Sequence, residues 1–453
     1  MAYRRRRRSG IPLSGVVILA LVGGAVVLAR TGGLHRTVTP AAHGSPSRAA
    51  SATPASAGRA RGAGATGGSA APVIPSQNGL PAVQYGPSNP PPAWPGAAGQ
   101  ALPYPVLIAD RGNNRMIEVT PEKQIIWQYP AAGAATPTSF GYDDDTFFTP
   151  DGGSIITNEE DESAISVIDY YSQAQTWSYG QFGVAGYDNG HLNYPDDAYR
   201  LANGTTITAD IRNCRELFIS PQGQITEQWG VNQQPWLHYC ATNIGASAQQ
   251  SELGYPNGDT PQANGDILMS IINGNWIVLF SPTGQTLWKA QAPDIPDNGC
   301  QYVSDAQLLA DGNVLVADYA GPTGNSAGCP AVPGQVIIFN PQTLQVVWRY
   351  AVASGDGELD HPSLAEQLPN GNIMLNDDYN DRVIVIDPQT KQIVWQYGVT
   401  ATSGTAQGYL NTPDGFAIDV FRNWYGWLQA PPAATAVSGA PAGSSATATR
   451  AAP

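Results

Sequence analysis

Tryptophan recurs along this chain at Trp127, Trp177, Trp229, Trp288, Trp348 and Trp395, with spacings of 50, 52, 59, 60 and 47 residues. A period of that length, repeated six times, restricts the chain to a repeat architecture before any element is assigned. Four of the six read Trp-x-Tyr: Trp127-Gln-Tyr129, Trp177-Ser-Tyr179, Trp348-Arg-Tyr350 and Trp395-Gln-Tyr397. Upstream of most lies a Pro-centred turn, as in Thr120-Pro121-Glu122, Ser220-Pro221-Gln222-Gly223 and Asp387-Pro388-Gln389, and before it a β-branched run such as Val336–Phe339. Earlier in the unit stand Asp151-Gly152, Asn203-Gly204, Asn264-Gly265, Asp311-Gly312 and Asn370-Gly371. These dipeptides tolerate the positive φ that tight hairpins demand.

Each unit therefore reads as strand A, Asx-Gly turn, strand B, loop, strand C, Pro turn and strand D with its Trp. Six units of four antiparallel strands predict an all-β fold, a six-bladed β-propeller. The first unit lacks strand A and starts at Tyr104-Pro-Val-Leu-Ile-Ala-Asp110, while an unmatched Thr412-Pro-Asp-Gly-Phe-Ala-Ile-Asp-Val420 stands at the other end. Placed ahead of strand B, that segment completes blade 1 and removes the open edge of a linear array. Joined to Val106-Leu-Ile-Ala-Asp-Arg-Gly-Asn-Asn-Arg-Met-Ile-Glu-Val119, it resembles an NHL repeat. The Trp-bearing strand ends resemble quinoprotein-type and arylsulfotransferase-type propeller repeats. The resemblance spans about residues 103–420 and specifies architecture rather than activity.

The flanks are of another kind. Residues 1–30 carry Arg4 to Arg8, then the uncharged Ile11–Ala29, closed by Arg30. Nineteen residues at ~1.5 Å rise span roughly the hydrocarbon core of a bilayer. The arginines favour an inside N-terminus. This predicts a single-pass signal anchor in the cell membrane with the body on the extracytoplasmic side; the alternative is a protein secreted after signal cleavage. Residues 31–100 are an Ala/Gly/Pro/Ser linker expected to be disordered, residues 101–428 the propeller, and 429–453 a disordered tail. Between residues 101 and 428, 36 Asp and Glu stand against 11 Lys and Arg, a net charge of −25. So acidic a body repels phosphate backbones, which argues against a nucleic-acid partner.

In a propeller the D-to-A connectors and B-to-C loops share one face, and here that face is expected to carry the long loops and the function. Aligning the units on their Asx-Gly turns gives a ring at the start of strand A: Asp144, Asp196, Asn257, Ser304, Ser363 and Asp414. Two residues earlier stand Tyr142, Tyr194, Tyr255, Tyr302, His361 and Thr412. Because strand A is innermost, both sets belong at the channel mouth. Six oxygen-bearing side chains, three of them carboxylates, suit a hard cation such as Ca²⁺, or simply cap strands in a hydrated channel. The B-to-C loops repeat Asp-x-x-Asn-x-Arg at Asp110/Asn113/Arg115, Asp210/Asn213/Arg215 and Asp377/Asn380/Arg382. A pattern installed three times in one ring points to structure rather than catalysis.

Four cysteines in an exported chain suggest two disulfides, and adjacency of loops selects Cys214–Cys240 and Cys300–Cys329 from three pairings. The body holds three histidines, His191, His238 and His361, all on the connector face. Convergence of the three would make a Zn²⁺ site, and some six-bladed lyases of the NHL class use a metal in this channel, but the three share no common register. No Gly-x-Ser-x-Gly elbow or phosphate loop occurs. An arylsulfotransferase-like activity needs a histidine nucleophile, for which His361 is the candidate, in an acidic surrounding. The sequence thus predicts a monomeric, membrane-tethered propeller that binds an extracellular ligand or protein. The competing expectation is a channel-centred enzyme, either a metal-dependent lyase or hydrolase or a sulfotransferase.

Overall fold

The computed structural model describes residues 99–230, 240–295, 302–320 and 333–422. The segments 1–98 and 423–453, which hold the expected anchor, most of the linker and the tail, lie outside the described residues. Blade 1 pairs β1 (Val106–Asp110), β2 (Arg115–Val119) and β3 (Ile125–Tyr129) with the last strand among the described residues. Blade 2 is β4 (Asp143–Phe148), β5 (Ser154–Glu159), β6 (Ala164–Asp169) and β7 (Gln175–Gly180). Blade 3 is β8 (Pro195–Arg200), β9 (Thr206–Asp210), β10 (Arg215–Ile219) and β11 (Ile225–Trp229). Blade 4 is β12 (Pro256–Pro261), β13 (Ile267–Ile271), β14 (Trp276–Phe280) and β15 (Thr286–Gln291). Blade 5 is β16 (Val303–Leu308), β17 (Val314–Asp318), β18 (Gln335–Phe339) and β19 (Val346–Tyr350). Blade 6 is β20 (Ala365–Gln367), β21 (Ile373–Asp377), β22 (Arg382–Asp387) and β23 (Gln392–Gly398), and β24 (Pro413–Ile418) returns to blade 1. The chain is a six-bladed β-propeller with four antiparallel strands per blade.

The closing strand pairs Val106 with Ile418, Leu107 with Ala417 and Ile108 with Phe416. Local chemistry accounts for the turns. The glycines of the five Asx-Gly turns all have positive φ, between 67° at Gly152 and 87° at Gly265 and Gly371. Every C-to-D pair carries a bulge at the same place, from Glu118/Val119 in blade 1 to Val385/Ile386 in blade 6. A bulge repeated in one position is a built feature that increases local twist.

The six tryptophans stitch the ring. Trp127 donates its indole N–H to the Tyr170 carbonyl at 2.8 Å, Trp177 to Pro221 at 3.0 Å, Trp288 to Pro341 at 2.9 Å and Trp348 to Pro388 at 2.8 Å. In each case the acceptor is in the C-to-D turn of the next blade. Trp395 donates across the closure to Pro121, also at 2.8 Å. Blade 3 departs from the pattern. Trp229 donates to its neighbour Glu227, and Gln249 reaches both Glu227 and the Thr283 carbonyl of blade 4. Beneath these contacts the β-branched and aromatic faces of the strands are buried in three hydrophobic clusters, the largest running through blades 6, 1, 2, 3 and 4 and the others filling the blade 4–5 and blade 5–6 seams.

The face expected to carry long loops does so unevenly. In five blades the B-to-C connection is only four residues, as at 111–114 and 378–381, so its bulk comes from the D-to-A connectors. Helical structure among the described residues is limited to 3₁₀ turns.

Candidate functional site

The channel mouth is built by a backbone device repeated around the ring. Tyr142, Tyr194, Tyr255, His361 and Thr412 all adopt left-handed φ, at 56°, 58°, 57°, 62° and 49°. That conformation is uncommon outside glycine and rarer still for a β-branched residue such as Thr412. It turns each connector sharply into strand A. The loop after strand B then bonds back: the Ile211 amide donates to the Tyr194 carbonyl at 3.1 Å, Ile272 to Tyr255 at 2.9 Å and Tyr319 to Tyr302 at 2.8 Å. The Asp-x-x-Asn-x-Arg motifs clamp the same junction. Asp210 accepts from Asn213 at 2.8 Å, from Arg215 Nε at 2.7 Å and from the Asn193 amide at 2.8 Å. Asp110 and Asp377 repeat the arrangement with Asn113/Arg115/Asn411 and Asn380/Arg382/Asp360.

The ring members meet their neighbours. Ser304 Oγ lies 3.5 Å from Asn257 Oδ1, and Ser363 donates to Asp414 Oδ1 at 3.1 Å. Between Asp414 and Asp144 stands a residue from the blade 1 B-to-C loop, Arg111. Its guanidinium contacts both carboxylates, and it donates to Glu160 Oε2 at 2.6 Å and Asp161 Oδ2 at 3.3 Å. The chain thus supplies its own cation to the mouth. Asp144, Asp145 and Asp196 form a compact buried group in which one ligand atom from each lies within 4.8 Å of the others. Strict strand alternation would send Asp144 and Asp145 to opposite faces. The register shift between Asp143 and Thr146 lets both turn inward, and equivalent shifts lie at Asp196/Ala198 and Val303/Asp305.

One residue below the ring, the sequence runs Asp145, Asp197, Gly258, Asp305, Leu364 and Gly415. The two glycines are needed for close approach. A Cβ at Gly258 would overlap the Asp305 carboxylate, and one at Gly415 would overlap Asp145. Three residues below the ring stand Phe147, Tyr199, Thr260, Gln307, Glu366 and Ala417, and all six line one cavity of about 50 Å³. The channel therefore passes from carboxylates at the mouth to aromatic and aliphatic groups at the short-turn end.

Burial dominates the electrostatics. It pushes Glu160 up to about 7 against the pull of Arg111, and Asp144 and Asp145 well above the ordinary carboxylate range, with neighbouring carboxylates adding to the effect. Asp414 is buried too, but the Arg111 guanidinium and hydrogen bonds outweigh that cost and hold it below the usual value. Further down, burial raises Asp305 to about 7 and Glu216 to about 8. Glu216 and Asp259 are fully buried and share a side-chain hydrogen bond, and the charge of Glu216 pushes Asp259 further up.

On donor chemistry, the all-oxygen group Asp144, Asp145 and Asp196 suits Ca²⁺ or Mg²⁺. Arg111 competes for Asp144 from one side. His361 is almost fully buried, with Nδ1 donating to Asp360 Oδ1 at 2.5 Å and its ring between Tyr319 (centroids 4.7 Å) and Tyr379 (4.2 Å). His191 lies in the blade 2–3 connector, three blades away, with Nε2 3.2 Å from Gln181 Oε1. His238 lies outside the described residues, as do Cys300 and Cys329. Cys214 is joined to Cys240, their Cα atoms 6.1 Å apart, which ties the blade 3 B-to-C loop to the following connector.

Arg111, Glu160, Asp161 and Tyr319 join the site from B-to-C loops, outside the strand A register that marks the ring. Their signal was available: each stands one or two places after the last residue of a strand B, and in blade 1 that is the unassigned position after Asp110.

No protein-family model matches the sequence, and no curated protein matches it. Several solved structures resemble it in shape. A protein of unknown function from Bacteroides caccae is 15% identical, with 69% of this chain and 97% of that one covered and a TM-score of 0.46. The nidogen/laminin complex gives 14% identity, 70% and 99% coverage and a TM-score of 0.46. A streptogramin B lyase gives 15%, 57% and 68%, and 0.37. At these values the likenesses carry no argument about function.

Proposed function

We propose that this chain is a membrane-tethered extracytoplasmic propeller that takes a cationic ligand, or a basic group of a protein partner, at the channel mouth on its connector face. The observation that carries this reading is the gathering of Asp144, Asp145 and Asp196 into one buried group beside an Asp414 already paired with a guanidinium. Carboxylates brought this close repel one another unless protons or cations sit between them. The acidic body concentrates cations at such an opening. The NHL-like and arylsulfotransferase-like features of the repeats are consistent with a functional channel and do not choose its ligand. The test is calorimetric titration of the full chain with Ca²⁺ and, separately, with an arginine-rich peptide. Binding should fall at least tenfold in Asp144→Asn/Asp196→Asn/Asp414→Asn and weaken with added salt for the peptide. Unchanged binding in the triple variant, or no binding by either probe, would overturn the reading.

A second reading, a channel-centred enzyme, is favoured by His361 alone. An imidazole oriented by a carboxylate and flanked by two phenols has the parts of a general base. If a turned-over substrate is found, His361→Ala and Asp360→Asn should both abolish turnover while leaving the cation response intact.

A further inference from the structure

The cavity at the short-turn end of the channel belongs to neither reading above. Its walls are largely apolar: Phe147 stacks on Tyr199 with centroids 4.2 Å apart, Phe148 lies against Phe421 at 5.5 Å, and Leu364 and Ile418 join them. Among the described residues that line it are two carboxyl groups, Asp305 and Glu366. They stand on strands A of adjacent blades 5 and 6, one and three residues below the mouth ring. The aromatic pair Phe147 and Tyr199 comes from blades 2 and 3, on the other side of a six-fold ring. Asp305 accepts from the Ala306 amide and, weakly, from Thr260 Oγ1 at 3.5 Å, and its carboxylate leans over the side-chain-free Gly258. Among the described residues, no arginine or lysine lines the cavity.

We propose that this cavity is a binding site for a small organic ammonium ion, or for the ammonium end of a longer amine, held between the Asp305 and Glu366 carboxylates and the Phe147–Tyr199 aromatic wall. The ring faces attract a cation that has been stripped of water. Burial holds both acids toward their protonated form, and a bound cation supplies the counter-charge that restores their carboxylates. A few convergent polar groups in an apolar cavity are what small-molecule sites present. The volume of about 50 Å³ leaves room for roughly three or four water-sized groups. That admits a methylated ammonium head and excludes a folded peptide. A metal ion is disfavoured because, among the described residues, two carboxylates reach the cavity and its remaining wall offers few oxygens. Charge and ring geometry agree on the same guest.

Asp305 stands one residue beneath the mouth ring, where the Asp196 charge acts on it, whereas Glu366 and Tyr199 lie two residues deeper, so variants at Glu366 and Tyr199 separate this site from the mouth. The experiment is isothermal titration of the full chain with tetramethylammonium and with choline, alongside the neutral choline isostere 3,3-dimethylbutanol and Ca²⁺ as controls. Both ammonium ions should bind and the neutral alcohol should not. Glu366→Gln and Asp305→Asn should each weaken ammonium binding at least tenfold, and Tyr199→Leu should weaken it without affecting the Ca²⁺ response. Asp144→Asn/Asp196→Asn/Asp414→Asn should retain ammonium binding. Equal binding of the alcohol, retention of ammonium binding in Glu366→Gln, or absence of ammonium binding would overturn the proposal. Circular dichroism and the retained Ca²⁺ response show whether each variant is folded.

Discussion

Trp395 of the sixth blade donates its indole N–H to the carbonyl of Pro121 in the first, at 2.8 Å, and so joins residues 274 positions apart across the closure of the ring. The same bond runs from blades 1, 2, 4 and 5 to the blade after each. A seam built from repeated local contacts makes the ring cooperative, because each blade is clamped at its outer edge by the next. Replacing Trp395 with Phe removes the donor but keeps most of the ring area, at a cost of about 1 kcal/mol. Trp395→Ala opens a cavity as well and should cost roughly 3–5 kcal/mol. Thermal unfolding of both variants checks this. A Trp395→Phe change as severe as Trp395→Ala would mean that the hydrogen bond, not the packing, carries the seam.

The chain is locked a second time, just past β24. Arg422 is buried, bonds Asp419 Oδ2 at 2.5 Å and the Gly152 carbonyl at 2.7 Å, and lies with its guanidinium 3.4 Å from the Tyr170 ring centre. Its charge also favours the ionised form of Glu118, whose carboxyl accepts from the Tyr170 hydroxyl at 2.6 Å, but burial and Asp419 outweigh it and drive that carboxyl upward in pKa. Arg422→Ala leaves two buried carboxyls without their cation and should cost about 3–5 kcal/mol. Adding Glu118→Gln should recover part of that loss. Chain ending at Ala406, which lacks the closing strand, should lose cooperative unfolding, whereas chain ending at Pro431 should keep it. Equal behaviour of the two truncations would contradict closure by the C-terminal strand.

Stability should fall as pH rises from 5.5 to 8.5. Burial raises Glu159 and Glu216 to about 8, and Glu160 and Asp305 to about 7, so the native state holds protons that the unfolded chain releases near the ordinary carboxylate range. Where the native state binds more protons, stability declines with pH. The contribution is complete below about pH 4.5, the unfolded value for glutamate, and is lost as pH passes through 7 and 8. A Tm lower by several degrees at pH 8.5 than at 5.5 is the expected result, and Glu216→Gln should flatten part of the slope. A Tm that rises across this window would refute the account of these buried carboxyls.

The fold was legible because its punctuation is local. Asn203-Gly204 or Asn370-Gly371 announces a hairpin by backbone need alone, and Trp348-Arg-Tyr350 marks a strand end wherever it lies. The closing strand was legible because Thr412–Val420 had no partner and blade 1 had a vacancy. What escaped depends on distances that no spacing encodes. Asp145 enters the channel only because a bulge suspends alternation in β4. Arg111 looks like loop filler until the ring closes and brings Asp414, 303 positions away, to its guanidinium. Trp229 shares the period of the other five but donates elsewhere, because Glu227 and Gln249 intervene.

If the mouth carboxylates hold a cation, thermal unfolding with and without millimolar Ca²⁺ will show it. The comparison uses the wild-type chain, Asp144→Asn/Asp196→Asn/Asp414→Asn and Arg111→Gln. A ligand that binds only the native state raises stability by mass action, by about 2.7 kcal/mol at a hundredfold excess over its Kd. Wild type should gain Tm with Ca²⁺, and the triple variant should gain none. Arg111→Gln, which removes the internal competitor for Asp144 and Asp414, should start less stable and gain more than wild type. Equal gains in wild type and the triple variant, or no gain in Arg111→Gln, would contradict cation binding at the mouth and leave the ring as a lining that Arg111 alone neutralises.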